Sequence, residues 1–278
     1  MSGSEPVVQT PANAELAFSR GNARFKAREY VAAIAHYDEA IAARPGYAEA
    51  WFNRGNALRC LGHNAEAVAS FDAAAALRPD FAPAHYNRGN AQRALGQHEA
   101  AVASYDAALA LRPDFANAHH NRGNALRELG RHAAAVASHD RALALDPDRA
   151  DVHESRAVAL LEMGLFAAAA AAFERAVALN PDSAEAHIGS GNALFALKRH
   201  AAAVASFDAA IALEPGHAVA YNNRGNALTA LGQFAAAVAS FDRAAEFDAG
   251  LQGLQGARHY ARMQICDWRD FEAEHWFV

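Results

Sequence analysis

The sequence predicts an all-α array of stacked helical repeats, and three observations carry that prediction. A Gly-Asn-Ala phrase recurs at a 34-residue spacing, at Gly21, Gly55, Gly89, Gly123, Gly191 and Gly225, with Ala157 standing at the same phase. Alanines recur at two further fixed positions, and a proline closes all but the last period. Self-similarity at a fixed period marks stacked supersecondary units rather than one globular core. Each unit leaves an apolar face bare until a neighbour covers it, so the array is elongated and offers a long groove.

Numbered so that the glycine falls eighth, seven units begin at Ala14, Ala48, Ala82, Ala116, Ala150, Ala184 and Ala218. Helix A is predicted over positions 1 to 14. A glycine at position 15 (Gly62, Gly96, Gly130, Gly164, Gly232) supplies the left-handed residue that ends it. Arg28 and Lys198 replace that glycine, so their two turns are expected to be less regular. Helix B is predicted over about positions 17 to 30, and the proline at position 32 (Pro45, Pro79, Pro113, Pro147, Pro181, Pro215) prevents its continuation. Small residues at positions 8, 20 and 27 let the helix axes approach closely, toward the near end of the usual ~8–10 Å. Position 24 carries a ring in every unit: Tyr37, Phe71, Tyr105, His139, Phe173, Phe207 and Phe241.

This small–small–aromatic–small–proline order resembles the tetratricopeptide repeat over about residues 14–251. The resemblance implies a right-handed superhelical solenoid of seven helix-turn-helix repeats, with one arc of helix A lining a concave groove. Residues 1–13 are expected to form a flexible leading segment. The period is expected to lapse after Ala249, with 252–265 forming a helix that caps the last repeat. The family's aromatic at position 4 is kept at Trp51 and Tyr221 and is elsewhere Ala17, His85, His119, His153 or His187.

On a helical projection, positions 3, 7, 10, 11 and 14 form the packing face, which holds Ala57, Leu58 and Leu61 in the second unit. The opposite arc holds the candidate binding residues. Position 9 is Asn22, Asn56, Asn90, Asn124, Asn192 and Asn226, and position 6 adds Asn53, Asn87, Asn121 and Asn223. Asparagine is a mediocre helix former, so its persistence there has a cost that composition does not explain. A carboxamide carries donors and an acceptor, and rows of them can grip the backbone of an extended peptide. Two roles fit the position-9 row, peptide binding or bonding to a neighbouring helix; binding is preferred for the position-6 row. Similar asparagine ladders line the repeat grooves of O-linked N-acetylglucosamine transferases. Phe18, Phe52 and Tyr86 at position 5 are expected as an aromatic strip on this arc, or packed on one another. Arg59, Arg93 and Arg127 at position 12 add a basic strip suited to an acidic or carboxylate-bearing partner.

Position 7 is Arg20, Arg54, Arg88, Arg122, Arg156 and Arg224, interrupted by Ser190, in the middle of the packing arc. A buried arginine needs a partner, and position 25 supplies Asp38, Asp72, Asp106, Asp140, Glu174, Asp208 and Asp242. The expectation is a structural ladder of ion pairs between these two rows.

The remaining features exclude more than they assign. A formal charge of -6 gives no general attraction to nucleic acid or anionic membrane, and no apolar run is long enough to span a bilayer. Cys60 and Cys266 stand in unrelated contexts, which suits a reducing, cytoplasmic setting. The histidines of position 4 are a full repeat apart, too far to share one metal ion at ~2 Å per ligand. No catalytic constellation, cofactor motif or metal site is expected. The phrase Met263–Phe271 resembles the junction in bacterial proteins similar to O-linked N-acetylglucosamine transferase, which implies a recognition region preceding a sugar-transfer domain. Alternatively, Trp268 and Phe271 simply plug the array end. The functional expectation is a scaffold binding a protein or extended peptide. The alternatives are a stand-alone adaptor or co-chaperone-like scaffold, or an array that self-associates through its ends.

Overall fold

The computed structural model describes residues 11–266, all of its regular structure being helical. Two compact bodies divide the chain after Leu145. The first holds four helix pairs: α1 (Pro11–Lys26) with α2 (Tyr30–Ala43), α3 (Ala48–Cys60) with α4 (Asn64–Leu77), α5 (Ala82–Ala94) with α6 (His98–Leu111), and α7 (Ala116–Glu128) with α8 (His132–Leu145). The second holds three pairs and a closing helix: α9 (Ala150–Glu162) with α10 (Phe166–Leu179), α11 (Ala184–Ala196) with α12 (His200–Leu213), α13 (Ala218–Ala230) with α14 (Phe234–Phe247), then α15 (Leu254–Gln264). The fold class is therefore the all-α repeat array that the sequence predicts. Within each body every helix packs on its neighbours in sequence, the pattern of stacked hairpins. Helix α1 starts at Pro11, so the flexible segment expected through residue 13 does not extend that far; residues 1–10 lie outside the described range.

The ring at position 24 sets the spacing inside each hairpin. It is buried in every repeat, and in all but the fifth it lies on the glycine of position 8. A Cβ placed on Gly55 would sit 2.7 Å from the Phe71 ring, and one on Gly225 would sit 2.5 Å from Phe241. Alanines at positions 20 and 27 are essentially inaccessible throughout, as Ala33, Ala67, Ala40 and Ala74 illustrate. The position-14 leucines depart from expectation: Leu61 and Leu95 keep 36% and 40% exposure. They occupy the helix cap, beyond the last full turn, and so sit at the margin of the packing face.

The fifth repeat solves the ring problem differently. Ala157 replaces the glycine, and Phe173 now crowds Gly189, the residue at position 6 of the next helix A, where a Cβ would lie 2.3 Å from the ring. Four other repeats place asparagine at that position, and two place serine. The extra methyl at Ala157 and the missing side chain at Gly189 are thus two halves of one packing solution.

The turns at Arg28 and Lys198 are as regular as the rest, contrary to expectation. Their φ values, 61° and 59°, match the left-handed geometry of Gly62 at 79° and Gly96 at 71°. The same pair of turn bonds closes them: Lys198 N–H to Phe195 C=O at 2.9 Å and Arg199 N–H to Leu194 C=O at 2.9 Å, against 3.0 Å for both bonds at Gly62–His63. Hairpin packing dictates the turn, and the two long side chains bear the strain.

The tail forms the capping helix expected after the last repeat, but the period does not lapse there. In an eighth frame starting at Gln252, Leu254 falls at position 3 and Arg258 at position 7. Leu254 and Ala261 are fully buried against Phe241 and Val238, and Arg258 Nε donates to Asp242 at 2.6 Å. Helix α15 takes the place of an eighth helix A on α14, and no helix B follows it among the described residues. Trp268 and Phe271 lie outside the described residues.

Two stability measurements check these readings. Arg28→Gly and Lys198→Gly are each expected to raise unfolding free energy by about 1 kcal/mol in denaturant titration, relief of left-handed strain outweighing added chain entropy. Gly189→Ala is expected to cost about 1–3 kcal/mol, and much less when combined with Ala157→Gly, which lets the Phe173 ring withdraw. Additive effects in that pair refute the coupling.

Candidate functional site: a carboxamide ladder on the A helices

Rings at position 24 hold the first layer of the site. Tyr37 donates its hydroxyl to Asn22 Oδ1 at 3.0 Å, and Tyr105 donates to Asn90 Oδ1 at 2.8 Å. Burial raises the Tyr37 phenol to about 12, with a hydrogen bond from Asn53 opposing it, and burial raises Tyr105 further still. Both hydroxyls thus stay protonated donors near neutral pH.

Onto that layer the two asparagine rows join. The position-6 amide of each following repeat donates to the position-9 oxygen behind it: Asn53 to Asn22, Asn87 to Asn56 and Asn121 to Asn90, each at 2.8 Å. Asn223 to Asn192 repeats the bond at 2.9 Å in the second body. Asn121 also reaches the Tyr86 hydroxyl at 3.0 Å. Asn124 Nδ2 lies 3.1 Å from His120 Nε2, and Asn226 is half-buried on α13. Position-9 asparagines therefore do bond a neighbouring helix. The pairing uses only one oxygen and one nitrogen per pair. In the first three pairs, Oδ1 of position 6 and Nδ2 of position 9 keep solvent access. An acceptor and a donor side by side match the backbone of an extended chain. A hollow of about 290 Å³ opens beside the first pair, lined by Asn22, Phe25, Lys26, Tyr37, Asn53 and Asn56.

The position-5 aromatics form no open strip, nor do they stack on one another. Phe18 lies between Tyr37 and Tyr47, with ring centroids 6.0 and 4.8 Å away. Phe52 sits likewise against Phe71 and Phe81, and Tyr86 against Tyr105 and Phe115. All three are half-buried because each closes the corner between helix A and the loop that leads into the next repeat. Arg44, Arg78 and Arg112 cover the loop rings, 3.5–3.7 Å above them. Of the position-12 arginines, Arg59 and Arg93 are exposed, and Arg127 is held by Glu128 at 2.6 Å.

Two structural devices surround the site. Arg54, Arg88, Arg122 and Arg224 bond Asp38, Asp72, Asp106 and Asp208 at 2.6–2.9 Å, which is the ladder expected between positions 7 and 25. These arginines are only partly buried, 22% exposed at Arg88, and Asp72 is 54% exposed, so the pairs are boundary contacts rather than interior ones. The sequence reading missed the second partner, a buried serine at position 23. Arg54, Arg122 and Arg224 donate to Ser70, Ser138 and Ser240 at 2.6–2.8 Å, and Arg88 donates to Ser104 at 2.9 Å. The recurrence of serine there was the available signal. Position 4 supplies the other device: the imidazoles of His85, His119, His153 and His187 and the Trp51 indole meet the carbonyl of the proline six residues earlier, at 2.9–3.1 Å. These four histidines fasten the turn into their own repeats. Among the described residues no three histidine, cysteine, aspartate or glutamate side chains converge, and no helix is long and apolar enough to cross a membrane.

A sequence profile described as TPR repeat matches residues 21–62, 55–96, 89–126 and 123–164, more than half of the chain in all. The chain belongs to the tetratricopeptide repeat family. Profiles described as Tetratricopeptide repeat match 154–218 and 206–239 of the same TPR array. Among solved structures it is similar to YrrB, described as a TPR protein with an unusual peptide-binding site, at 24% identity and TM-score 0.61 over 68% of this chain and 97% of that one. It is also similar to a tetratricopeptide repeat protein from Parabacteroides merdae, at 18% identity and TM-score 0.65 over 90% of this chain and 99% of that one. MamA follows at 21% identity and TM-score 0.59, over 63% and 96% of the two chains. These likenesses show the TPR fold. Curated proteins yield no match to the chain.

The serine partners give a check. Ser104→Ala is expected to cost about 1–2 kcal/mol by leaving Arg88 and Gln92 short of a buried partner, whereas Asp72→Ala costs less than about 1 kcal/mol because the carboxylate is half in water. Urea unfolding of both variants decides the order, and a larger loss at Asp72 contradicts it.

Proposed function

We propose that the chain is a non-catalytic TPR scaffold that holds an extended peptide or unfolded segment along the A helices of its first body. One observation carries this reading: successive asparagine pairs spend one hydrogen bond on each other and leave one acceptor and one donor in reach of solvent. The inner bond fixes both side chains before any ligand arrives, so less rotamer entropy is lost on binding. Asn22, Asn53, Asn56, Asn87, Asn90 and Asn121 supply the backbone contacts, with Asn124 continuing the row. Asn192, Asn223 and Asn226 form a shorter row in the second body. Phe18, Phe52 and Tyr86 serve as a wall that positions the asparagines. Arg59, Arg93 and Arg127 select acidic side chains or a terminal carboxylate. The described peptide site of YrrB accords with this use of the fold.

The finer reading, a recognition region for a glycosyl-transfer domain, is supported by the phrase Met263–Phe271 alone, of which the residues after Cys266 lie outside the described structure. A reading frame that continues past Val278 into a nucleotide-sugar domain supports it; a stop codon at that point removes it.

For the ladder, capture of extended peptides from an immobilised library is compared between the intact chain and Asn53→Ala/Asn87→Ala/Asn121→Ala. The triple variant is expected to lose at least about tenfold in affinity. Retained helicity and a melting transition show that the loss is not unfolding. Equal capture by both proteins removes the ladder from the mechanism.

A further inference from the structure

Positions 3 and 7 of helix A form the seam with the helix B that precedes it. At position 3, Ala50, Ala84 and Ala118 are wholly buried, and Ala50 and Ala84 lie against the preceding alanines Ala40 and Ala74. At position 7, Arg54, Arg88 and Arg122 take the aspartate two residues before the seam alanine. Among the described residues nothing covers the same two positions of helix α1. Leu16 is 53% exposed, and Arg20 is exposed and in no ion pair with a described residue. A hollow of about 480 Å³ lies alongside, bounded by Leu16, Arg20, Glu39 and Ala43.

The contact between α14 and α15 shows what seats on a leucine–arginine seam. There α14 covers α15, with Leu254 at position 3 fully buried and Arg258 at position 7 on Asp242 at 2.6 Å. The covering segment reads Asp242-Arg243-Ala244. A second contact comes from position 26: Arg175 there reaches Asp148, position 33 of the repeat before it, at 2.7 Å. On the uncovered face position 26 is Glu39, a carboxylate, so its complement is a cation placed eight residues after the seam aspartate.

We propose that the outer face of α1 is a docking site for an amphipathic helix of another protein. That helix carries Asp-x-Ala against Arg20 and Leu16 and a lysine or arginine eight residues after the aspartate, facing Glu39. A second copy of this chain is the poorer occupant: Asp38, Asp72, Asp106, Asp208 and Asp242 are each held by the chain's own next arginine. The face is independent of the asparagine ladder and of what the ladder binds.

The probe is a fluorescent peptide of residues 233–250 carrying Gly250→Lys, lactam-bridged on its solvent side because short helices do not hold their fold in water. It is titrated by anisotropy against the full chain. Saturable binding is expected, weakened at least about tenfold by Arg20→Glu or Leu16→Lys and by restoring Gly250 in the peptide. The peptide bearing Asp242→Lys is expected to recover binding to Arg20→Glu, which a nonspecific contact does not do. Both protein substitutions are on the surface, and unchanged melting confirms intact folds. No saturable binding, or equal binding to wild type and Arg20→Glu, overturns the proposal. Concentration-dependent dimers of the chain alone, abolished by Leu16→Lys, also overturn it by giving the face to a second copy.

Discussion

Contact between a flat ring at position 24 and bare backbone at position 8 governs the rest of the architecture. Without a Cβ at Gly21, Gly55, Gly89, Gly123, Gly191 and Gly225, each ring can lie on the A helix, and the two helices of a hairpin close together. That approach is what lets Tyr37 and Tyr105 reach across to the position-9 asparagines. The polar surface of the A helices is thereby tied to the core beneath it. A site built on regular helices and braced from below keeps its geometry better than one carried by loops.

On the proposed function, the asparagine rows answer two demands with one residue type. Amide-to-amide bonds link consecutive A helices, as a neutral side-chain network can when every buried atom is satisfied. The unused half of each carboxamide stays at the surface. A residue doing only the first task could be replaced by serine or glutamine with local repacking. One doing only the second would gain nothing from a fixed rotamer. Asparagine is short enough to be held and polar on both atoms, so on the proposed reading it serves fold and ligand together, despite its poor propensity mid-helix.

Much of this was legible in the sequence, and the failures are instructive. Helix B over positions 17–30 and the left-handed residue at position 15 follow from glycine, proline and apolar spacing, which act locally. The ion pairs between Arg54 and Asp38 and their equivalents were legible because charge must be matched where burial is periodic. Arg28 and Lys198 misled because a local propensity was allowed to outweigh the packing of the two helices around it. Phe18, Phe52 and Tyr86 misled because a helical projection gives direction but not the neighbours contributed by the loop rings Tyr47, Phe81 and Phe115. The eighth frame in α15 was hidden by the loss of the Gly-Asn-Ala phrase, although Leu254 and Arg258 kept its phase.

The arginine at position 7 draws one partner from the repeat behind it and one from its own, as Arg54 does with Asp38 and Ser70. Each such repeat therefore exports an acid and imports one, while its hydroxyl stays at home. Excising or duplicating a whole 34-residue module restores the same chemistry at the new junction, with no stranded charge left to penalise the event. Length in this architecture is thus free to drift in whole units, and with it, on the proposed function, the reach along a bound chain.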